Sequence, residues 1–126
     1  MSASRIQAID HVHLDLPYGY GDEMRRFYAE ILGLPVLQPT PDDGDVALCL
    51  GANRLRMRLV LRERPVINPH RRRLTLEVDS LRAQADRFRD AKVVYRRHDG
   101  ISFTERRLFV HDPVGHLIEL KQVWSF

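Results

Sequence analysis

Two histidines stand two residues apart in the stretch Ile9-Asp10-His11-Val12-His13-Leu14-Asp15-Leu16. Its strict alternation predicts a strand, with Val12, Leu14 and Leu16 on one face and His11, His13 and Asp15 on the other. Imidazoles on one strand face can ligate a metal or move a proton. A second set of residues is cationic. Between positions 54 and 73 the chain carries eight arginines against one acid, Glu63. Arg56 and Arg58 alternate with Leu55, Met57 and Leu59, and Arg71, Arg73, Thr75 and Glu77 alternate with Leu74, Leu76 and Val78. Guanidinium binds carboxylate or phosphate through paired N–H bonds, so Arg56, Arg58, Arg73 and Arg107 are candidates for an anion pocket. The competing reading is a solvated arginine face over a Leu/Met core.

The rest of the composition narrows the class. The chain has 126 residues, of which 44% are hydrophobic and 29% charged, enough for one domain with its own core and unlike a disordered chain. No apolar run approaches the ~18 residues of a membrane span. No apolar segment follows Met1, so a cytoplasmic protein is expected. Cys49 is the sole cysteine, which excludes an intrachain disulfide and a cysteine metal cluster; it reads as a small core residue. A net charge of +3 is mild, and no helix-turn-helix, RNA-recognition or zinc-finger pattern is present. Neither nucleic acid nor membrane is expected as a partner.

The elements that position these residues follow from the same patterning. After the strand at 9–16, Pro17 to Gly21 breaks it. Met24, Phe27, Tyr28, Ile31 and Leu32 then follow helical spacing from Asp22, and Gly33 suits the stop. Strands are predicted at 45–50 and 54–62, and a linker from Arg64 to Pro69. The pattern then restarts: a strand at 71–78, a helix capped by Asp79 or Ser80 running to about Asp90, and strands at 93–95, 106–111 and 116–123. The chain reads β-α-β-β-β twice within a single domain over 1–126, module one at about 8–63 and module two at about 70–123. Superposing the halves pairs His11 with Arg73, His13 with Thr75 and Asp15 with Glu77.

Three stretches carry a family resemblance: Ile9 to Leu14, Arg26-Phe27-Tyr28-Ala29-Glu30-Ile31-Leu32-Gly33-Leu34, and Phe109-Val110-His111-Asp112-Pro113-Val114-Gly115-His116-Leu117-Ile118-Glu119. Together they resemble the vicinal oxygen chelate superfamily of glyoxalase I, bleomycin-resistance proteins, fosfomycin-resistance enzymes and extradiol dioxygenases. The resemblance implies an α+β fold: two βαβββ modules forming a cup-shaped mixed sheet, helices outside, a small molecule inside, and a homodimer. It also implies a divalent metal held by His or Glu from equivalent strands. His11 matches the first-strand ligand and Glu119 the last-strand carboxylate, while the remaining ligands would fall at Arg73 and at Arg56 or Arg58. Arginine has no lone pair to give and stays protonated, so the metal site is degenerate.

The leading expectation is a cup for a small anionic organic ligand, with His11 and Glu119 as its polar centre. If it catalyses, either is the general base. Arg73, Arg56, Arg58, Arg107 and Phe109 would contact the ligand. One alternative is a metal-dependent lyase, isomerase or dioxygenase using His11, His13 and Glu119. Another is a non-catalytic binding or resistance protein. A purely structural use of the same residues is an Arg73–Glu119 ion pair across the cup.

Overall fold

The computed structural model describes residues 3–6, 11–38, 48–51, 58–65, 72–100 and 106–122. His11 and Arg58 enter the description as backbone; their side chains, and the whole of Arg56, lie outside it.

Module one begins with β1 (His11–Leu16) and α1 (Gly21–Arg25), which runs into a π-helical turn at Arg26–Ile31. β2 (Leu48–Leu50) and β3 (Arg58–Glu63) complete it. Module two holds β4 (Arg73–Val78), α2 (Leu81–Asp90), β5 (Tyr95–His98), β6 (Arg107–His111) and β7 (Leu117–Gln122). The strands form two sheets, ordered β1-β3-β2 and β4-β7-β6-β5. In each, the first and last strands of the module run parallel and the remaining pairs antiparallel.

The two modules depart from each other at one strand. In module one the second strand of the βαβββ unit shrinks to a single bridge between Val36 and Leu50. Hydrogen bonds from Leu37 N to Cys49 O (2.8 Å) and Gly51 N to Pro35 O (3.0 Å) flank it. Pro35 has no N–H to extend the ladder.

The first helix also differs from the plain α-helix that the spacing predicts. Leu32 N reaches back five residues to Phe27 O at 2.9 Å. Met24, Phe27, Tyr28 and Leu32 are nevertheless all buried, as their spacing requires. Gly33 ends the helix at φ +84, and α2 satisfies the last carbonyl: Gln84 Nε2 and Arg87 Nη1 donate to Leu32 O at 3.4 and 3.3 Å. The positive φ favours glycine there; a Cβ would also meet the Arg87 guanidinium, whose flexible side chain can move aside.

Ser80 is the N-cap of α2, its Oγ accepting from Ala83 N at 3.1 Å, and Leu81 and Phe88 are buried. Lys92 leaves the helix in the left-handed region at φ 57, and Val93 N bonds Phe88 O at 2.8 Å. Val93 and Val94 therefore belong to the helix exit, which corrects the strand expected at 93–95 to Tyr95–His98. His98 is its last residue.

A single core joins the modules: Leu14, Leu16, Met24, Tyr28 and Leu61 from the first, with Phe88, Leu108, Val110, Ile118 and Leu120 from the second. Cys49 is buried, as expected. A buried side-chain hydrogen bond also joins the modules. The Tyr28 hydroxyl donates to Asp112 Oδ2 at 2.6 Å, in the turn between β6 and β7.

Candidate functional site

The register of the four-stranded sheet determines which side chains share its open face. Thr75 stands opposite Glu119, Glu119 opposite Phe109, and Phe109 opposite Arg96. One step along the same face, Lys121 pairs with Arg107 and Arg107 with His98. The opposite face, carrying Leu74, Leu76, Leu108, Val110, Ile118 and Leu120, packs into the core. The alternation read from the sequence is thus correct for β4, β6 and β7.

Glu119 is the centre of this face, with 14% of its side-chain surface exposed. Its Oε2 accepts from Arg73 Nη2 at 2.7 Å and from Thr75 Oγ1 at 3.0 Å. Arg107 Nε lies 3.4 Å from Oε1. Phe109 sits between two guanidinium groups, with Arg73 Cζ 5.7 Å and Arg96 Cζ 5.8 Å from the ring centroid, within cation–π range. Of the sequence candidates, the structure brings together Arg73, Arg107, Phe109 and Glu119. His13 is exposed on β1 of the other sheet, opposite Val60.

Burial by itself pushes the Glu119 carboxyl up, because it penalises the charge. Hydrogen bonds from Arg73 and Thr75, and the charges of Arg73 and Arg107, outweigh burial and hold it below its ordinary value. A carboxyl depressed in the folded state stabilises the fold above its unfolded pKa, and that contribution is lost as pH falls through the folded pKa. Glu119→Gln should therefore flatten the stability–pH curve on the acid side of the ordinary carboxylate range. Urea titrations from pH 6 down to about pH 3 measure this, bracketing the ordinary carboxylate value near ~4.3. Identical curves for both proteins would show that the ion cluster adds nothing.

Comparison with known proteins places this geometry. The family model for the glyoxalase/bleomycin resistance protein/dioxygenase superfamily matches residues 8–120. The chain belongs to this superfamily. Among solved structures, a chain from Bacillus anthracis described as a glyoxalase family protein is 21% identical, with a TM-score of 0.78 over 98% of this chain and 100% of that one. TnmS3, an antibiotic binding protein from Streptomyces sp. CB03234, is 26% identical, with a TM-score of 0.73 over 97% of this chain and 100% of that one. Lactoylglutathione lyase from Agrobacterium tumefaciens is 18% identical, with a TM-score of 0.70 over 98% and 100%. No curated protein matches the chain.

Membership of the glyoxalase superfamily raises the question of a divalent metal, and the strand register answers it in part. β1 pairs with β3 through His11 and Arg58, and β4 with β7 through Arg73 and Leu117. Counting from these pairs, the module-one counterpart of Glu119 is Val60, fully buried, and not Arg56 or Arg58 as expected. The four equivalent positions are then His11, Val60, Arg73 and Glu119. Two of the four offer no lone pair, and both oxygens of Glu119 already face guanidinium groups. Among the described residues, no three His, Cys, Asp or Glu side chains stand close enough to share an ion. The described residues do not fit a divalent cation, which needs several well-placed donors.

Two parts of the site were not singled out from the sequence. Arg96 was missed because the strand carrying it was placed too early; its signal was the alternation of Tyr95, Arg97 and Arg96, His98 past Lys92. Tyr28 and Asp112 belong to the family-like stretches, and the structure gives them a joint task as a buried link between modules. His116 is buried, with Nδ1 accepting from Arg72 N at 2.8 Å. No helix among the described residues is long and apolar enough to cross a membrane.

Proposed function

We propose that this superfamily member binds a small anionic organic molecule on the open face of the four-stranded sheet, without a metal and without chemistry on the ligand. The observation that carries the reading is the state of Glu119, the carboxylate matched to a metal ligand. It is held by Arg73, Thr75 and Arg107. A carboxylate kept below its ordinary pKa is a weak general base. Arg73 uses Nη2 on Glu119 while 59% of its side-chain surface stays exposed, which leaves other N–H groups for a ligand carboxylate. The antibiotic binding of TnmS3, the 26%-identical relative, supports a binder over a catalyst. A homodimer belongs to the proposal on the motif resemblance alone.

The test combines metal content with ligand binding. Protein purified without chelators or a His tag should take up no stoichiometric Mn, Fe, Ni or Zn. 2-Naphthoate should raise its unfolding midpoint, since a ligand bound to the native state must do so. Arg73→Ala should weaken 2-naphthoate about tenfold or more, the loss of one charge-assisted contact. Unchanged affinity in Arg73→Ala defeats the reading. Stoichiometric metal that Glu119→Gln releases would establish the metal-dependent alternative built on His11, His13 and Glu119.

A further inference from the structure

The cationic face extends past Glu119. Arg73 and Arg107 both address that one carboxylate. Arg96, on the far side of Phe109, faces the ring and meets no carboxylate among the described residues. Its neighbour Arg97 is neutralised by Asp99 at 2.9 Å. A cavity of about 350 Å³ opens here, lined by Arg96, Arg97, His98 and Phe109. That volume lies at the small end of the range for organic ligands, roughly 300–1,000 Å³.

We propose that the ligand carries two acidic groups on a flat conjugated frame, with Arg96 and His98 receiving the second. This rests on the anion-binding reading above and extends it to the ligand class. The flat frame follows from the planar guanidinium groups of Arg73 and Arg96, which both lie over the Phe109 ring. A conjugated ligand stacks on guanidinium planes of this kind, and each of its ends meets an arginine. The two acidic groups follow from two exposed cations: Arg73, whose side chain is more than half exposed beside Glu119, and Arg96, which that carboxylate does not reach. β4 and β5, which carry Arg73 and Arg96, lie three strand spacings apart, about 14 Å, and the arginine side chains span part of that gap. A rigid diacid of naphthalene size bridges the remainder.

Calorimetric titration of the full chain with naphthalene-2,6-dicarboxylate and 2-naphthoate tests this. The diacid should bind about tenfold or more tightly than the monoacid. Arg96→Ala should erase that advantage, and Arg96→Lys should retain part of it. Arg73→Ala should weaken both probes. Equal affinity of the two probes for the unaltered protein, or a diacid advantage that survives Arg96→Ala, overturns the second subsite while the anion-binding reading stands. If neither probe binds the unaltered protein, the anion-binding reading itself fails and takes this inference with it.

Discussion

Asp112→Ala is expected to lower the unfolding free energy by about 3–5 kcal/mol, out of the roughly 5–15 kcal/mol of a typical domain. Asp112 is 4% exposed and its carboxylate accepts three hydrogen bonds. Oδ2 takes the Tyr28 hydroxyl at 2.6 Å, and Oδ1 takes Val114 N at 3.1 Å and His116 N at 2.8 Å. Burial pushes the Tyr28 phenol far above its ordinary range, and the Asp112 charge and hydrogen bond push it further, so the hydroxyl stays a donor. Alanine strands all three donors, each costing about 1–3 kcal/mol when buried and unpaired, with some relaxation. Tyr28→Phe removes one donor and leaves the turn intact, so it should cost less, about 1.5–3 kcal/mol. Urea denaturation measures both, with an unchanged m-value marking a pure stability effect. A double-mutant cycle should return a coupling energy of at least ~0.5 kcal/mol, as contacting residues do. Losses below about 1 kcal/mol for Asp112→Ala would show that relaxation supplies other partners.

Glu119→Gln should tighten binding of the monoacid 2-naphthoate about tenfold at neutral pH. In the folded protein Glu119 is ionised and occupies the same guanidinium groups that a ligand carboxylate needs. Two carboxylates about 6 Å apart at an effective dielectric of ~20–50 repel by about 1–3 kcal/mol, which brackets a factor of ten. Glutamine keeps an acceptor for Arg73 and Thr75 and removes that repulsion. The fold itself should lose stability, because the ion pairs with Arg73 and Arg107 become contacts of charged donors with a neutral amide. Opposite signs, tighter binding on a weaker fold, separate a ligand site from a plain structural ion pair. Weaker binding in Glu119→Gln would mean that the carboxylate itself contacts the ligand.

Local periodicity was enough to identify most elements and their faces. Alternation in β1, β4, β6 and β7 separated core residues from Thr75, Phe109 and Glu119, because side chains on a strand switch sides at every residue. The Asp79-Ser80 pair announced a helix start, and the FYAEILGL and HDPVGHLIE stretches announced the superfamily. The Arg73–Glu119 pair was also foreseeable, since arginine stands where a metal ligand would and must find a carboxylate.

The register between strands had to come from the tertiary structure. Composition could not say that Val60 rather than Arg58 is the counterpart of Glu119, because a parallel ladder between β1 and β3 sets that correspondence across more than forty residues of chain. Nor could it place Arg96 beside Phe109, which depended on where a left-handed Lys92 released the chain from α2. The π-helical turn and the Tyr28–Asp112 bond are of the same kind. Backbone pairing and burial settle such contacts cooperatively and at a distance, whereas patterning reports only which face of its own element a residue occupies.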